Sequence, residues 1–315
     1  MLTVTAVTAP VATASQSRQE SLRRQDCLPG GAQSTARQAR FFGDTHGSDP
    51  LFVDRSVAAL DRRAPRGAPA SVTVPVAFHV LTDAAGQGSP GRDRIDRQIA
   101  ALNAAYGGKT GGADTGVRFR LVSVDTRAND TWFTEPHRYE RDYKILLRRG
   151  GPETLNLYSG AVGTEVLGHS TFPETQKAEP VLDGVIIDHR SLPGGPFPHF
   201  SLGYTAVHEV GHWLGLFHTF ENGCRTPGDG VDDTPYESTP SEGCPTAKDT
   251  CTAPGTDPVH NFMNYSWDDC MKEFTQGQGE RIRRSWETYR RTPTAAKAAA
   301  LDGDAPVVVP AVPAV

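Results

Sequence analysis

The segment from Tyr204 to Phe220 reads Y-T-A-V-H-E-V-G-H-W-L-G-L-F-H-T-F. His208 and His212 are four apart, so on a helix they project from one face, one turn apart. Two neutral imidazoles so placed can bind one Zn2+. Glu209 follows the first of them, where its carboxylate can reach a water activated by the metal. Gly215 comes three residues after His212, where a helix can break into a left-handed turn that glycine tolerates. The chain can then bend and return His218 as a third ligand. Three protein ligands leave a fourth position for water, which marks a catalytic rather than a structural zinc site. A bare H-E-x-x-H arises by chance in many chains, but H-E-x-x-H-x-x-G-x-x-H fixes five positions. Apolar Val207, Val210, Leu214 and Leu216 surround the ligands, as a helix facing a core requires.

Three further stretches carry residues capable of chemistry. Asn261-Phe262-Met263-Asn264-Tyr265-Ser266 places a methionine and a tyrosine downstream of the histidines. On their own these are an ordinary core methionine and a half-buried tyrosine. Gly228-Asp229-Gly230-Val231-Asp232-Asp233-Thr234-Pro235 clusters carboxylates in a glycine-rich loop. Calcium takes oxygen ligands in such loops, although the spacing is not that of an EF-hand and the alternative is a solvated acidic turn. Cys224, Cys244, Cys251 and Cys270 lie within the same region. They contain no C-x-x-C pair, which argues against a second zinc, and as disulfides they allow three connectivities. A fifth cysteine, Cys27, stands far upstream.

The elements that must position these residues form an alternating series. Val72 to Leu81 is β-rich. Ile95, Ile99, Leu102 and Tyr106 recur at helical spacing and predict a helix over Asp93 to Tyr106. Val117, Phe119 and Leu121 alternate with Arg118 and Arg120, predicting a strand to Val124. A short helix over Tyr143 to Arg149 and strands at Leu155–Tyr158, Leu167–Phe172 and Val181–Asp188 follow. Strand, helix, strand, helix, strands predicts an α/β (α+β) sheet with parallel pairing. Thr219 to Phe274 shows almost no periodicity. Gly279 to Arg290 predicts a last helix with Ile282, Trp286 and Tyr289 on one face.

The 315 residues carry a net charge of -5, 32 glycines and 24 prolines, and 37% are hydrophobic. The charge argues against a sequence-independent nucleic-acid binder. No run approaches the ~18 apolar residues of a membrane span. Residues 1–63 read as a signal remnant and a largely irregular pro-segment, with the dibasic Arg62-Arg63 as a candidate processing point. Residues 64–291 read as one catalytic domain, and 292–315 as a disordered Ala/Pro tail.

Taken together, H-E-V-G-H-W-L-G-L-F-H-T-F (His208 to Phe220), the cysteine-rich stretch after it and N-F-M-N-Y-S (Asn261 to Ser266) resemble the pappalysin family of metzincin zinc metalloproteases, with likeness over Val72 to Arg290. Thr219, the residue after the third histidine, differs from the Glu, Ser or Asp of the astacin, matrixin and adamalysin groups. The resemblance implies a zincin-like domain: a twisted, mostly parallel sheet with an active-site helix, then an irregular, disulfide-containing C-terminal subdomain. It implies that Met263 is the Met-turn methionine under the zinc, and that Tyr265 aids the developing oxyanion. It implies disulfides Cys224–Cys251 and Cys244–Cys270, a structural Ca2+ held by Asp229, Asp232 and Asp233, and an upper-rim strand at Leu167 to Pro173 that pairs with substrate. An acid after the Met-turn, Asp269, would sit in the S1′ pocket and favour Arg or Lys at P1′.

The expected activity is therefore that of a secreted zinc endopeptidase made as a latent precursor. Its partners are protein or peptide substrates bound extended along the cleft, with no nucleic acid and no membrane, and it acts as a monomer. Glu209 serves as general base and acid. Arg62-Arg63 becomes a candidate autolytic site, and Cys27 a candidate thiolate cap on the zinc, although its surroundings do not match the matrixin switch motif. The competing readings are a catalytically silent metzincin-fold binding protein and a zinc hydrolase acting on non-peptide substrates.

Overall fold

A computed structural model of the chain describes residues 50–291, apart from 66, 68, 164 and 165. Cys27 and the tail from residue 292 lie outside the described residues. The order is α1 (Pro50–Arg63), β1 (Val72–Thr82), α2 (Gly91–Tyr106), β2 (Val117–Ala128), α3 (Asp130–Thr134), α4 (Glu140–Leu147), β3 (Leu155–Gly160), β4 (Gly168–Ser170), β5 (Val185–Asp188), α5 (Tyr204–Trp213) and α6 (Gln276–Ser285). One π-helical turn, Trp286–Arg290, extends α6.

The five strands form one sheet in the order β2-β1-β3-β5-β4. Every pairing is parallel except β4 on β5, where Gly168 opposes Ile187 and Ser170 opposes Val185. Pro75 sits inside β1, where a proline removes a ladder donor; the pairing with β3 begins only at Val76. The expected mixed sheet with parallel pairing is therefore present, and the antiparallel edge strand β4 covers Gly168–Ser170 within the predicted span Leu167–Phe172.

Helix α2 fixes the active helix to this sheet. Its buried Ile95, Leu102, Ala105 and Tyr106 join one core with Val74, Val76 and Phe78 of β1 and Val207 and Val210 of α5. Two polar ties set the position of α5. The Gln98 amide donates to Gly203 O at 2.9 Å, and the Tyr106 hydroxyl donates to Val207 O at 3.0 Å. Gly203 begins α5 with φ 84, and a Cβ there would lie 2.7 Å from Gln98 Oε1, so this start requires glycine.

After α5 the chain becomes irregular, as its lack of periodicity foretold, until Thr275 caps α6. Thr275 and Gln278 form a capping box, and Asp233 accepts from Thr275 Oγ1 and Gly277 N–H at the same helix start. The disulfides Cys224–Cys251 and Cys244–Cys270 hold the irregular part, with Cα–Cα distances of 5.5 and 5.6 Å. This is the pairing that the resemblance implied. In a region with little core, such cross-links replace packing by restricting the unfolded chain.

One difference falls at the front. The last 14 residues of the stretch read as largely irregular form helix α1. Its Val53 is fully buried in a cluster with Phe172 and Phe217, against which Phe52 and Val57 also pack. Asp61 pairs with Arg284 of α6 at 2.8 Å. The helix is stabilised by this apolar docking, since few turns of helix stand alone in water.

Candidate active site

Helix α5 carries His208, Glu209 and His212, all fully buried. It ends at Trp213; Gly215 follows with φ 99, and the bonds Gly215 N–H to His212 O and Leu216 N–H to Gly211 O close the turn. That reversal returns His218 beside the other two. His212 Nε2 lies 3.1 Å from His208 Nε2 and 3.1 Å from His218 Nε2. Among the described residues, these histidines are the one group of three or more His, Cys, Asp or Glu side chains whose ligand atoms converge.

The far nitrogens define what the near ones can do. His208 Nδ1 lies 2.7 Å from Phe262 O and His212 Nδ1 lies 2.8 Å from Leu216 O. A carbonyl only accepts, so each Nδ1 carries the proton and each Nε2 presents a lone pair. His218 Nδ1 lies 2.9 Å from Glu221 Oε1, which sets the same tautomer. Three lone pairs thus converge at hydrogen-bond separation with no proton between them, an arrangement that a cation resolves. Burial, with His218 close by, pushes His212 well below the usual imidazole range. Burial alone pushes His218 down to about 3. Neutral imidazoles are the form that ligates metal, so the donor set fits Zn2+, with the outer partners that zinc histidines require.

Met263 is fully buried beneath this group. It packs on the backbone of α5 where Gly211 lacks a side chain: a Cβ at 211 would lie 2.4 Å from Met263 Sδ. Tyr265, half-buried, sets its ring 4.9 Å from that of His218 and 5.8 Å from that of His208, centroid to centroid. Edge strand β4 passes directly over the helix, and a Cβ on Gly168 would lie 3.0 Å from Glu209 Cγ. The sequence-derived group of His208, Glu209, His212, His218, Met263 and Tyr265 is therefore assembled in one place.

Other candidates are placed differently. Asp269 is exposed, with Oδ2 3.7 Å from His199 Nδ1, while neighbouring Asp268 is buried and accepts from Leu202 N–H at 2.9 Å, just before α5. The three acids expected to hold calcium do not gather as the histidines do. Asp229 is buried and its Oδ1 accepts from Val231 N–H within its own turn; Asp233 caps α6; Asp232 is exposed. The fold thus engages Asp229 and Asp233 in two different places. Burial also pushes the Asp229 carboxyl well above its usual range.

Glu221 and Glu237 escaped the sequence reading. Glu221 stands three residues past the last ligand, a proximity that could have flagged it. Glu237 has no local signal, because its partners Thr219 and Asn264 lie 18 and 27 residues away.

With this geometry the comparisons with known proteins agree. Residues 164–287 match the Peptidase_M43 family, described as Pregnancy-associated plasma protein-A. An extracellular metalloprotease of Arthroderma benhamiae is 38% identical over 239 residues, covering 72% of this chain and 78% of that protein. One from Neurospora crassa is 39% identical, covering 74% and 81%. Among solved structures, Tannerella forsythia promirolysin is similar with a TM-score of 0.66 at 26% identity, covering 77% of this chain and 90% of the other. Mature mirolysin, in complex with a cleaved peptide, has a TM-score of 0.61 at 25% identity, covering 71% and 97%. The family match, together with relatives 38–39% identical over more than two thirds of the chain, makes this chain a member of the pappalysin family of metalloproteases.

Proposed function

We propose that the chain is a secreted, zinc-dependent endopeptidase. The convergence of the three Nε2 lone pairs on one point beside Glu209 carries this reading. Zinc, when bound, supplies a Lewis acid that lowers the pKa of water towards about 7. His208, His212 and His218 hold it. Glu209 takes the proton of the attacking water and later delivers it to the leaving amine. Tyr265 donates its hydroxyl to the oxygen that gains charge. The outer strand β4 pairs with the extended substrate backbone and sets the scissile bond above Glu209. The extracellular naming of the relatives supports export, and the promirolysin likeness supports synthesis as a precursor. Residues 1–63 are read as the latency segment of that precursor, with Cys27 as the candidate cap. Asp269, with Asp268 behind it, supplies the negative charge that favours Arg or Lys at P1′.

One digest tests the whole reading. Casein incubated with the purified enzyme should be cut, and a zinc chelator should stop the cutting. The new N-termini of the products are the P1′ residues, so sequencing them reads the preference directly. Glu209→Ala should bind zinc yet lose nearly all turnover; ordinary turnover in that variant would overturn the mechanism. Intact casein after removal of the N-terminal segment would favour a silent binding protein or a non-peptide hydrolase.

A further inference from the structure

His208 and His212 are held by a regular helix, but His218 lies on irregular chain and needs another support. The residue after it, Thr219, is buried, and its hydroxyl donates to Glu237 Oε2 at 2.8 Å. The same oxygen accepts from Asn264 Nδ2 at 2.8 Å. The other carboxylate oxygen accepts from Ser241 Oγ at 2.9 Å and from Lys248 Nζ at 2.5 Å. Glu237, Asn264 and Ser241 are fully buried, so four donors satisfy one dry carboxylate and Lys248 balances its charge.

Both ends of this bridge lead to the site. On one side Thr219 is bonded directly to ligand His218, and its own N–H reaches Met263 O at 3.3 Å. On the other side Asn264 lies between Met263 and Tyr265. Its Oδ1 accepts from Tyr265 N–H at 2.8 Å and Ser241 N–H at 2.9 Å, which fixes the turn that presents the tyrosine. Behind the bridge Lys248 also lies 3.3 Å from Asp257, which accepts from Thr250 N–H beside the disulfide residue Cys251.

We propose that Glu237 is a positioning residue of the metal centre: through Thr219 and Asn264 it holds the third histidine and the Met263–Tyr265 turn in one fixed relation. The residue after the third histidine is a threonine here because its hydroxyl must donate to this carboxylate. The inference rests on the zinc peptidase reading but is read out on metal binding, which is measurable whether or not a substrate is cleaved.

The test compares Thr219→Val, which removes the donor at nearly constant volume, with Thr219→Ser, which keeps it, and with Glu237→Gln. Zinc affinity is measured by chelator competition, ligand geometry by the absorption bands of the Co2+-substituted protein, and folding by circular dichroism. Thr219→Val should bind zinc roughly 10–100-fold more weakly and shift the cobalt bands, the range typical of lost outer partners. Its kcat should fall with KM little changed, because Tyr265 and the ligands move while edge strand β4 does not. Thr219→Ser should restore affinity and spectrum. Glu237→Gln should weaken zinc at least as much as Thr219→Val; if it does not fold, the two uncharged threonine variants decide alone. Parental zinc affinity and cobalt bands in Thr219→Val, or equal loss in Thr219→Ser, would overturn the proposal. A parent that binds zinc but cuts no peptide would count against the peptidase reading and leave this comparison intact.

Discussion

Glu221 holds its carboxylate 2.9 Å from Nδ1 of His218, so the third ligand alone leans on a charged side chain where its two fellows lean on backbone carbonyls. A carboxylate behind an imidazole makes it a stronger donor and fixes its ring. Glu221→Gln should therefore weaken zinc binding by roughly 10-fold, on the scale of outer-partner losses. The three ligands remain, so the variant should still reach full occupancy in excess zinc. Equal zinc dissociation rates in variant and parent would refute the role.

Gly211 is the seat of Met263. Helix propensity alone says Gly211→Ala should gain up to about 1 kcal/mol. The new methyl would meet Sδ at 2.4 Å in a fully buried site, and overpacking of that kind typically costs about 1–3 kcal/mol. The clash should win, lowering Tm by several degrees, since 1 kcal/mol moves a domain of this size by roughly 2–4 °C. Scanning calorimetry of the zinc-loaded variant decides the sign.

Edge strand β4 is tied to α4 by a buried polar group. Glu140 Oε1 lies 2.5 Å from Lys144 Nζ and 3.1 Å from His169 Nε2. Burial would push the Glu140 carboxyl up, but Lys144 and His169 outweigh it and hold the group well below the usual carboxylate range. A depressed carboxyl contributes stability that is complete above its unfolded pKa, about 4.3, and is lost as pH falls towards the folded value. The parent should therefore lose stability progressively below about pH 4.3. Glu140→Gln should be weaker at neutral pH by about 3–5 kcal/mol, because Lys144 is left buried without its counter-charge. Its acid limb should also be flatter. Denaturant melts at pH 7 and pH 3.5 test both statements; parallel curves for the two proteins would reject them.

Helix α1 bears on where a precursor can be trimmed. Arg62 and Arg63 are exposed at its end, open to a protease, yet the helix before them packs on Phe172 and Phe217. Phe217 precedes ligand His218, and the Phe172 ring lies 5.4 Å from that of His212. A chain beginning at residue 64 should bind zinc more weakly and melt lower than one beginning at residue 50. A nick after Arg62 should leave the helix bound, visible as a fragment that co-elutes until denatured. Identical melting of the two truncated chains would show the helix to be dispensable.

The zinc motif could be read in the sequence because its spacing is local: four and six residues separate ligands that one helix and one turn bring together. The sheet was readable for the same reason, since alternation in Val117–Leu121 and helical spacing in Ile95–Tyr106 record which side faces the core. The place of Tyr265 beside the histidines came through family likeness, because no local rule connects residue 265 to residue 208. Glu237 was illegible, as its meaning depends on loops that meet only in the folded chain. Helix α1 was partly legible: Val53, Val57 and Leu60 fall at helical spacing, but the polar composition around them outweighed three apolar residues. The task of Asp233 in the acidic loop was illegible because its partner, Thr275 at the cap of α6, lies 42 residues later.

The far end of the domain reaches back to the active helix. Arg290 is fully buried, stacks 3.5 Å over the Trp213 ring, donates to Trp213 O at 2.8 Å and makes a two-pronged pair with Asp183 at 3.1 Å. Trp213 adjoins ligand His212. Asp183 also accepts from Trp213 Nε1 at 3.1 Å, so one buried carboxylate gathers both Arg290 and the tryptophan next to His212. The clamp thus ties the last helical turn among the described residues to the end of the helix that carries His208 and His212. A chain ending at Ser285 should retain zinc poorly beside one ending at Arg291, and equal retention would break that link.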